Sequence, residues 1–144
     1  MSGPQYRLTG RITVPLPPAR AFELFTPRGE QRWVPGWRPR FPLPTDDDTA
    51  PGTVFETTAA DEVTTWVVLS REPGHHISYA RVTPGSRAGT VTVSLTENTT
   101  GHTTVDVTYE LTALTPTAEP ALHRFATDYP TFLHTWQEAL TTAT

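Results

Sequence analysis

The chain contains no cysteine and no lysine among its 144 residues. Without cysteine, disulfide bonds, thiolate nucleophiles and cysteine-ligated zinc sites are excluded. All 11 basic side chains are therefore arginines, and the net charge is −4 with a pI near 5.7. An acidic chain with scattered arginines argues against nucleic-acid binding and against a basic helix that lies on a membrane surface.

Long apolar runs are also missing. No stretch approaches the roughly 20 apolar residues that a membrane-spanning helix needs, so we expect no membrane span. The first ten residues, MSGPQYRLTG, lack the apolar core of a secretory signal, and we expect a cytoplasmic location. The length fits one domain, predicted over residues 1–144. A lysine-free composition rich in Thr, Pro, Ala and Arg is typical of a GC-rich bacterial genome.

What the sequence does contain is alternation of apolar and polar residues. The run YRLTGRITVP places Tyr6, Leu8, Ile12 and Val14 on one face, as in a half-buried strand. Five further strands are predicted from similar patterns and from the turn signals between them. Because those turns are short, we expect antiparallel neighbours. The predicted strands cover residues 53–60, 63–72, 76–82, 89–97 and 102–114.

Helices are predicted in two places. Two short helices follow the first strand, one in PLPPARAFELF and one that starts near Pro27 and ends before Pro35. Near the end of the chain, apolar residues recur at steps of three or four and predict one long helix with a kink at Pro130. This stripe consists of Leu122, Phe125, Tyr129, Leu133, Trp136 and Leu140.

The order of elements and several local motifs resemble one known superfamily. The segments are ITVPLPPARAFELFT, GEQRWVPGW, PGTVFET, TTWVVLSREPGHHISYAR and GHTTVDVTYEL. They are similar to the START/Bet v 1-like (SRPBCC) superfamily, in particular to its polyketide cyclase/dehydrase-like branch, over residues 8–140. The resemblance implies an α+β helix-grip fold. In that fold a curved antiparallel six-stranded sheet wraps around a long C-terminal helix, and two short helices follow strand 1.

The resemblance also implies a class of function. It predicts that the chain binds a hydrophobic, aromatic or polyketide-like small molecule in an internal cavity. If the protein is an enzyme, the resemblance implies cyclisation or dehydration of that molecule, as a lyase or isomerase without a cofactor. The alternatives are a non-catalytic carrier or sensor of a hydrophobic ligand and an Hsp90-activator-like module that binds a partner protein. Monomer and homodimer both stay open.

The run RWVPGWRPRF, residues 32–41, places two tryptophans around a Pro-Gly turn. In the implied fold this run borders the mouth of the cavity, where indole rings bury apolar area and keep an N–H for a polar partner. Core packing is an equally weighted alternative for Trp33, and it is favoured for Phe125 and Trp136. The predicted ligand-binding residues are Phe25, Trp33, Trp37, Phe41, Phe55, Trp66, Tyr79, Tyr109, Phe125, Tyr129 and Trp136.

Three of the polar candidates for catalysis are Tyr79, Arg81 and Tyr109. Tyr79 and Arg81 share one strand face, so Arg81 would stabilise an oxyanion while Tyr79 donates a proton. The alternative is that Arg81 points to solvent. It is favoured because arginine is rarely buried without a partner.

Two further polar residues, Glu56 and His76, are weaker candidates. His76 lies on the face opposite Tyr79, and the sequence leaves open which face is inside. No G-x-S-x-G motif and no spaced metal-ligand motif occurs, so we expect no metal and no cofactor.

Overall fold

A computed structural model describes residues 5–144, so residues 1–4 of the predicted 1–144 domain lie outside the described residues. Two short helices follow the first strand: α1 (Pro18–Glu23) and a one-turn 3-10 helix at Gly29–Arg32. The strands are β1 Gln5–Val14, β2 Val54–Ala59, β3 Glu62–Glu72, β4 His76–Thr83, β5 Arg87–Glu97 and β6 Thr103–Ala113. The helices are α1 Pro18–Glu23, α2 Glu119–Thr127 and α3 Tyr129–Ala143, and a second 3-10 helix, Pro116–Ala118, precedes α2.

The six strands form one antiparallel sheet in the order β1-β6-β5-β4-β3-β2. The curved, open sheet with a C-terminal helix is the helix-grip fold, so the predicted fold class is confirmed. Each predicted strand agrees with the observed one to within two residues. Alternation of apolar and polar residues predicted the strands correctly because one face of the sheet is buried and the other faces water.

The helix α3 packs against β1, at one edge of the sheet. The side-chain amide of Gln137 accepts a hydrogen bond from the backbone N–H of Thr13 at 2.8 Å and donates one to its carbonyl at 2.7 Å. The hydroxyl of Tyr129 donates to the carbonyl of Val107 on β6 at 2.8 Å. These bonds hold the start and the middle of α3 over β1 and β6. The inner face of β2 to β5 is thereby left for other segments to cover.

The C-terminal helical region differs from the single kinked helix that the pattern predicts. The chain is interrupted at Asp128, with φ −91° and ψ 6°, which separates α2 from α3. Pro130 then lies in the first turn of α3, where its missing N–H leaves no helical bond unmade. The apolar stripe continues in phase, because Leu122 in α2 and Leu133 and Leu140 in α3 are all buried.

Two glycines of the sheet lie where an added side chain would meet a close neighbour. A Cβ atom built on Gly10 of β1 would lie 2.3 Å from Cδ1 of Leu133, so the glycine lets α3 approach β1 closely. A Cβ atom built on Gly89 of β5 would lie 1.8 Å from the backbone oxygen of Glu110 on β6. A leucine methyl group can rotate away, but a strand carbonyl cannot move without breaking the sheet.

We expect Gly89→Ala to destabilise the protein by about 2 kcal/mol or more, because the added methyl group must displace the backbone of β6. Gly10→Ala is the matched comparison, and a smaller loss is expected because only the end of Leu133 must shift. Urea unfolding followed by circular dichroism measures both changes. Equal losses for the two variants would contradict this account of the β5–β6 contact.

Candidate functional site

A cavity of about 420 Å³ lies between the inner face of the sheet, α3 and the loop that follows the first 3-10 helix. The loop contributes Val34, Pro35, Gly36 and Trp37, and α3 contributes Phe132 and Trp136. The remaining lining residues are Phe25, Glu30, Phe55, Thr57, Thr58, Ala59, Ala60, Glu62, Thr64, Trp66, Tyr79, Arg81, Thr83, Ser86, Arg87, Val91, Val93 and Tyr109.

One side of the cavity is formed by three aromatic rings, Trp37, Phe55 and Trp66, here called the aromatic wall. The rings of Phe55 and Trp66 are parallel, with centroids 5.8 Å apart, and Trp37 meets both edge-on at 6.1 and 5.5 Å. The indole N–H of Trp37 donates to the carbonyl of Pro27 at 2.8 Å, and that of Trp66 donates to Oγ1 of Thr57 at 2.9 Å. Because both indole N–H groups are bonded, the two tryptophans are held in place while their rings line the cavity.

The two tryptophans of RWVPGWRPRF have different surroundings. Gly36, with φ +73°, turns the chain between them, and Trp37 reaches the cavity. Trp33 is only 6% exposed and lies outside the lining. Its indole N–H donates to the carbonyl of Leu24 at 2.7 Å, and its ring meets Trp136 edge-on at 5.0 Å. Trp33 therefore belongs to the core at the end of the sheet.

Seven of the 11 predicted ligand-binding residues meet around this cavity. Four others do not, and each has a different environment. Besides Trp33, Phe41 packs on Phe55 behind the wall, with the guanidinium carbon of Arg28 4.5 Å from its ring centroid. Phe125 packs against Tyr109 and Phe132, and Tyr129 is held by its bond to β6. The seven lining residues are Phe25, Trp37, Phe55, Trp66, Tyr79, Tyr109 and Trp136.

The strand β4 places Tyr79 and Arg81 on the inner face and His76 on the outer side. The favoured interpretation that Arg81 points to solvent therefore does not hold. On β2, Phe55 is inside and Glu56 is not part of the lining; Glu56 forms an ion pair with Arg40 instead. The sequence left open which face of β2 is inside. The packing of Phe55 against Trp37 and Trp66 decides it.

The guanidinium of Arg81 is incompletely satisfied by the protein. Its Nη2 donates to Oγ1 of Thr83 at 2.9 Å, and its central carbon lies 5.0 Å from the ring centroid of Trp66. Its Nε is buried and has no hydrogen-bond partner among residues 5–144. Burial lowers the pKa of Arg81, although arginine stays charged at neutral pH. A guanidinium has five N–H donors, so Arg81 can bind further oxygen atoms.

The two tyrosine candidates differ in the state of their hydroxyl groups. The hydroxyl of Tyr79 donates to the carbonyl of Phe25 at 2.7 Å, so its proton is already engaged. Within the described part of the chain, the hydroxyl of Tyr109 makes no such bond. Burial raises the pKa of Tyr109, an effect that the nearby charge of Arg81 opposes. Tyr109 is therefore a neutral donor beside a cation, whereas Tyr79 supports the loop that carries Phe25.

The lining residues that sequence reasoning missed include Glu30, Arg87 and Phe132. Arg87 was detectable, because Arg87, Gly89, Val91 and Val93 alternate in phase, but the predicted strand began at residue 89. Phe132 is one position before Leu133 and falls on the flank of the helical stripe. Nothing in the local pattern indicates that Glu30, in a one-turn helix, is directed at a cavity.

Glu30 is the only carboxyl residue of the first 3-10 helix, and it lines the cavity without an ion-pair partner within 4.0 Å in residues 5–144. Burial raises the pKa of its carboxyl group well above the usual value. A raised pKa extends the pH range over which a carboxyl group stays protonated and can donate a hydrogen bond. The cavity thus combines apolar rings with a guanidinium, a phenol and a carboxyl group.

The sequence matches the family model for "Polyketide cyclase / dehydrase and lipid transport" over residues 5–142. The chain belongs to this family. A comparison with curated proteins found no match. In residues 5–144, no group of three or more His, Cys, Asp or Glu side chains is placed to hold a metal ion. None of the helices described here is long and apolar enough to cross a membrane.

Solved structures of other proteins share the fold of this family member. Protein MLL2253 from Mesorhizobium loti is 22% identical, with a TM-score of 0.68 over 95% of this chain and 98% of that one. DynU16, a protein in the dynemicin biosynthetic locus, is 18% identical, with a TM-score of 0.64 over 94% of this chain and 47% of that one. The Aha1 dimer from Colwellia psychrerythraea is 17% identical, with a TM-score of 0.61 over 94% and 96%. At these identities the likeness concerns the fold alone.

We expect Glu30→Gln to become more stable than the wild type as the pH rises from 4 to 8. The folded state raises the pKa of Glu30, so it binds more protons than the unfolded state above the usual carboxyl pKa, and wild-type stability falls with rising pH. Glutamine lacks this loss, and near pH 4 the two proteins should melt alike. Glu62→Gln, at an exposed lining residue, is the control and should follow the wild-type curve. A constant difference across the pH range would contradict the buried state of Glu30.

Proposed function

We propose that the cavity binds an aromatic or polyketide-like small molecule that carries at least one oxygen acceptor. The observation that carries this proposal is Arg81, a guanidinium with an unpartnered Nε, beside the aromatic wall of the cavity. The volume of about 420 Å³ lies in the range of small-molecule pockets, which combine mostly apolar walls with a few polar groups. Membership of a polyketide cyclase/dehydrase and lipid transport family supports the same class of ligand.

We further propose that the protein catalyses cyclisation and dehydration of a poly-β-ketone without a cofactor. Solvent water would accept the proton lost by the attacking carbon, and Arg81 would stabilise the resulting enolate oxygen. The free hydroxyl of Tyr109 would supply a proton to the attacked carbonyl, whose oxygen then leaves as water. The carboxyl group of Glu30, whose pKa is raised by burial, is proposed as a second proton donor in the same cavity. The shape of the cavity would hold the flexible substrate in one reactive conformer, which lowers the entropic part of the barrier. DynU16, which shares this fold, is a protein of the dynemicin biosynthetic locus, and a role in biosynthesis accords with this proposal.

The proposed ligand-binding residues follow from the lining. Tyr79, predicted as a proton donor, is assigned a supporting role because its hydroxyl bonds to Phe25. The proposed catalytic residues are therefore Arg81 and Tyr109, with Glu30 added. Contacts to the ligand are assigned to Phe25, Trp37, Phe55, Trp66, Phe132 and Trp136.

The cytoplasmic location, the single domain over residues 1–144 and the choice between monomer and homodimer remain predictions.

A carrier or sensor would use the same cavity and return its ligand unchanged. The two functions share the binding step and differ only in turnover, so one experiment can separate them. The Hsp90-activator-like alternative shares its fold with Aha1, and no feature of the described surface favours it.

A short aryl triketone, 1-phenylhexane-1,3,5-trione, tests binding and turnover together. Bond formation between its terminal methyl carbon and the aryl ketone carbon, followed by loss of water and enolisation, yields 5-phenylresorcinol. We expect the protein to accelerate this step at least about 100-fold over buffer, a typical gain from positioned acid–base groups. Product is measured by liquid chromatography and mass spectrometry.

Arg81→Met should remove most of the acceleration while binding of the triketone survives, because the aromatic wall is unchanged. Tyr109→Phe, which deletes only the free hydroxyl, should reduce the rate by about tenfold or more. The control is Arg7→Met, since Arg7 pairs with Glu110 on the exposed side of the sheet. Binding without turnover in the wild type would reject the cyclase and leave a carrier, and absence of binding would reject both.

A further inference from the structure

The cavity contains a second arginine that stands next to Arg81 on the inner face of the sheet. The register of β4 and β5 pairs Arg81 with Gly89, and Arg87 lies two residues before Gly89 on the same face. Such diagonal neighbours have Cβ atoms about 7–8 Å apart, within reach of two long side chains. Gly89 has no side chain to stand between them. Two guanidinium groups therefore border one region of the cavity.

Among residues 5–144, neither of these arginines forms an ion pair with a carboxylate. Four others do: Arg7, Arg11, Arg40 and Arg71 form ion pairs with Glu110, Asp106, Glu56 and Asp47. For Arg81 and Arg87, no carboxylate lies within 4.0 Å in the part of the chain that is described. The guanidinium carbon of Arg87 lies 5.6 Å from the ring centroid of Phe125, and burial lowers the pKa of Arg87 as well. Two partly buried cations without an anion are unfavourable unless a ligand supplies one.

Two carboxyl groups also line the cavity, and their placement decides the sign of its charge. Glu62 is exposed at the rim, where water screens the charge by which it raises the pKa of Arg81 and Arg87. Glu30 is half-buried in the lining, and burial raises the pKa of its carboxyl group, which opposes a negative charge there. Within residues 5–144, neither carboxyl group forms an ion pair with Arg81 or Arg87, so the two guanidinium groups stay available to a ligand.

We propose that the natural ligand enters as a carboxylate, which Arg81 and Arg87 bind together while the apolar body of the ligand lies on the aromatic wall. This inference rests on the proposed binding function and narrows its ligand class from neutral ketones to aromatic or polyketide acids. The planar fork of a guanidinium matches the two oxygens of a carboxylate. The unsatisfied N–H groups of Arg81 would gain partners, and the two positive charges would be partly neutralised.

Two probes of nearly equal shape test the proposal. Binding of 2-naphthoate and of neutral 2-acetonaphthone to the full chain is measured by isothermal titration calorimetry. We expect the wild type to bind the carboxylate at least about tenfold more tightly, as charge-assisted hydrogen bonds are stronger than neutral ones. In Arg81→Met this ratio should fall to about one, with the affinity for 2-acetonaphthone nearly unchanged.

Three further variants make the result specific. Arg87→Met should lower the ratio at least about threefold, and Arg81→Lys, which keeps the charge but loses the fork, should restore part of it. Arg7→Met is the control and should keep the wild-type ratio, because Arg7 lies outside the cavity. Melting curves of each variant check that the fold is intact; if Arg81→Met unfolds, Arg87→Met and Arg81→Lys decide the matter.

The outcomes separate this inference from the proposed function. If both probes bind the wild type with equal affinity, the carboxylate proposal is overturned and the binding cavity stands. If the preference exists but survives in Arg81→Met and Arg87→Met, these arginines do not cause it, and the proposal is again overturned. If neither probe and no triketone binds, the binding function itself fails.

Discussion

The position of α3 on one edge of the sheet is the constraint from which the cavity follows. Gly10 allows the close approach of Leu133, and the Gln137 amide bonds to both backbone groups of Thr13. A helix held over β1 and β6 cannot also cover β2 to β5. The inner face of those strands is faced instead by the loop that carries Trp37, and the cavity lies between the loop and the strands. The hollow is thus a consequence of where the helix is held.

The chemistry of the cavity depends on strand phase. A strand directs alternate side chains to opposite faces, so the inward position of Ile77 and Tyr79 also directs Arg81 inward. The cost of placing a guanidinium there is offset in part by Thr83 and by the ring of Trp66. What the protein leaves unsatisfied is the group most able to recognise a ligand. The hydroxyl of Tyr79 is occupied by the carbonyl of Phe25, whereas within the described residues that of Tyr109 has no such bond.

Parts of the site were accessible to sequence reasoning and parts were not. The aromatic residues of β2, β3 and β4 were predicted as lining residues, since large rings on the inner face of a sheet, near an aromatic-rich loop, are expected to border a cavity there. The sequence did not separate the two tryptophans of the loop, because their side chains are identical and their different hydrogen-bond acceptors, Leu24 and Pro27, are set only by the folded chain. Phe41 and Phe125 carry the same kind of aromatic side chain as the lining residues, but they pack behind the lining residues Phe55 and Tyr109.

The sequence alone determined the number and order of the strands, the antiparallel connections and the two short helices, because period-two alternation and turn residues are local properties of the chain. It also excluded thiol chemistry. Tertiary structure alone decided which face of β4 is inside, that Glu30 reaches the cavity from a one-turn helix, and that Arg81 and Arg87 form no ion pair within residues 5–144. These features depend on contacts between residues far apart in sequence, and local sequence patterns do not indicate which distant residues will be in contact.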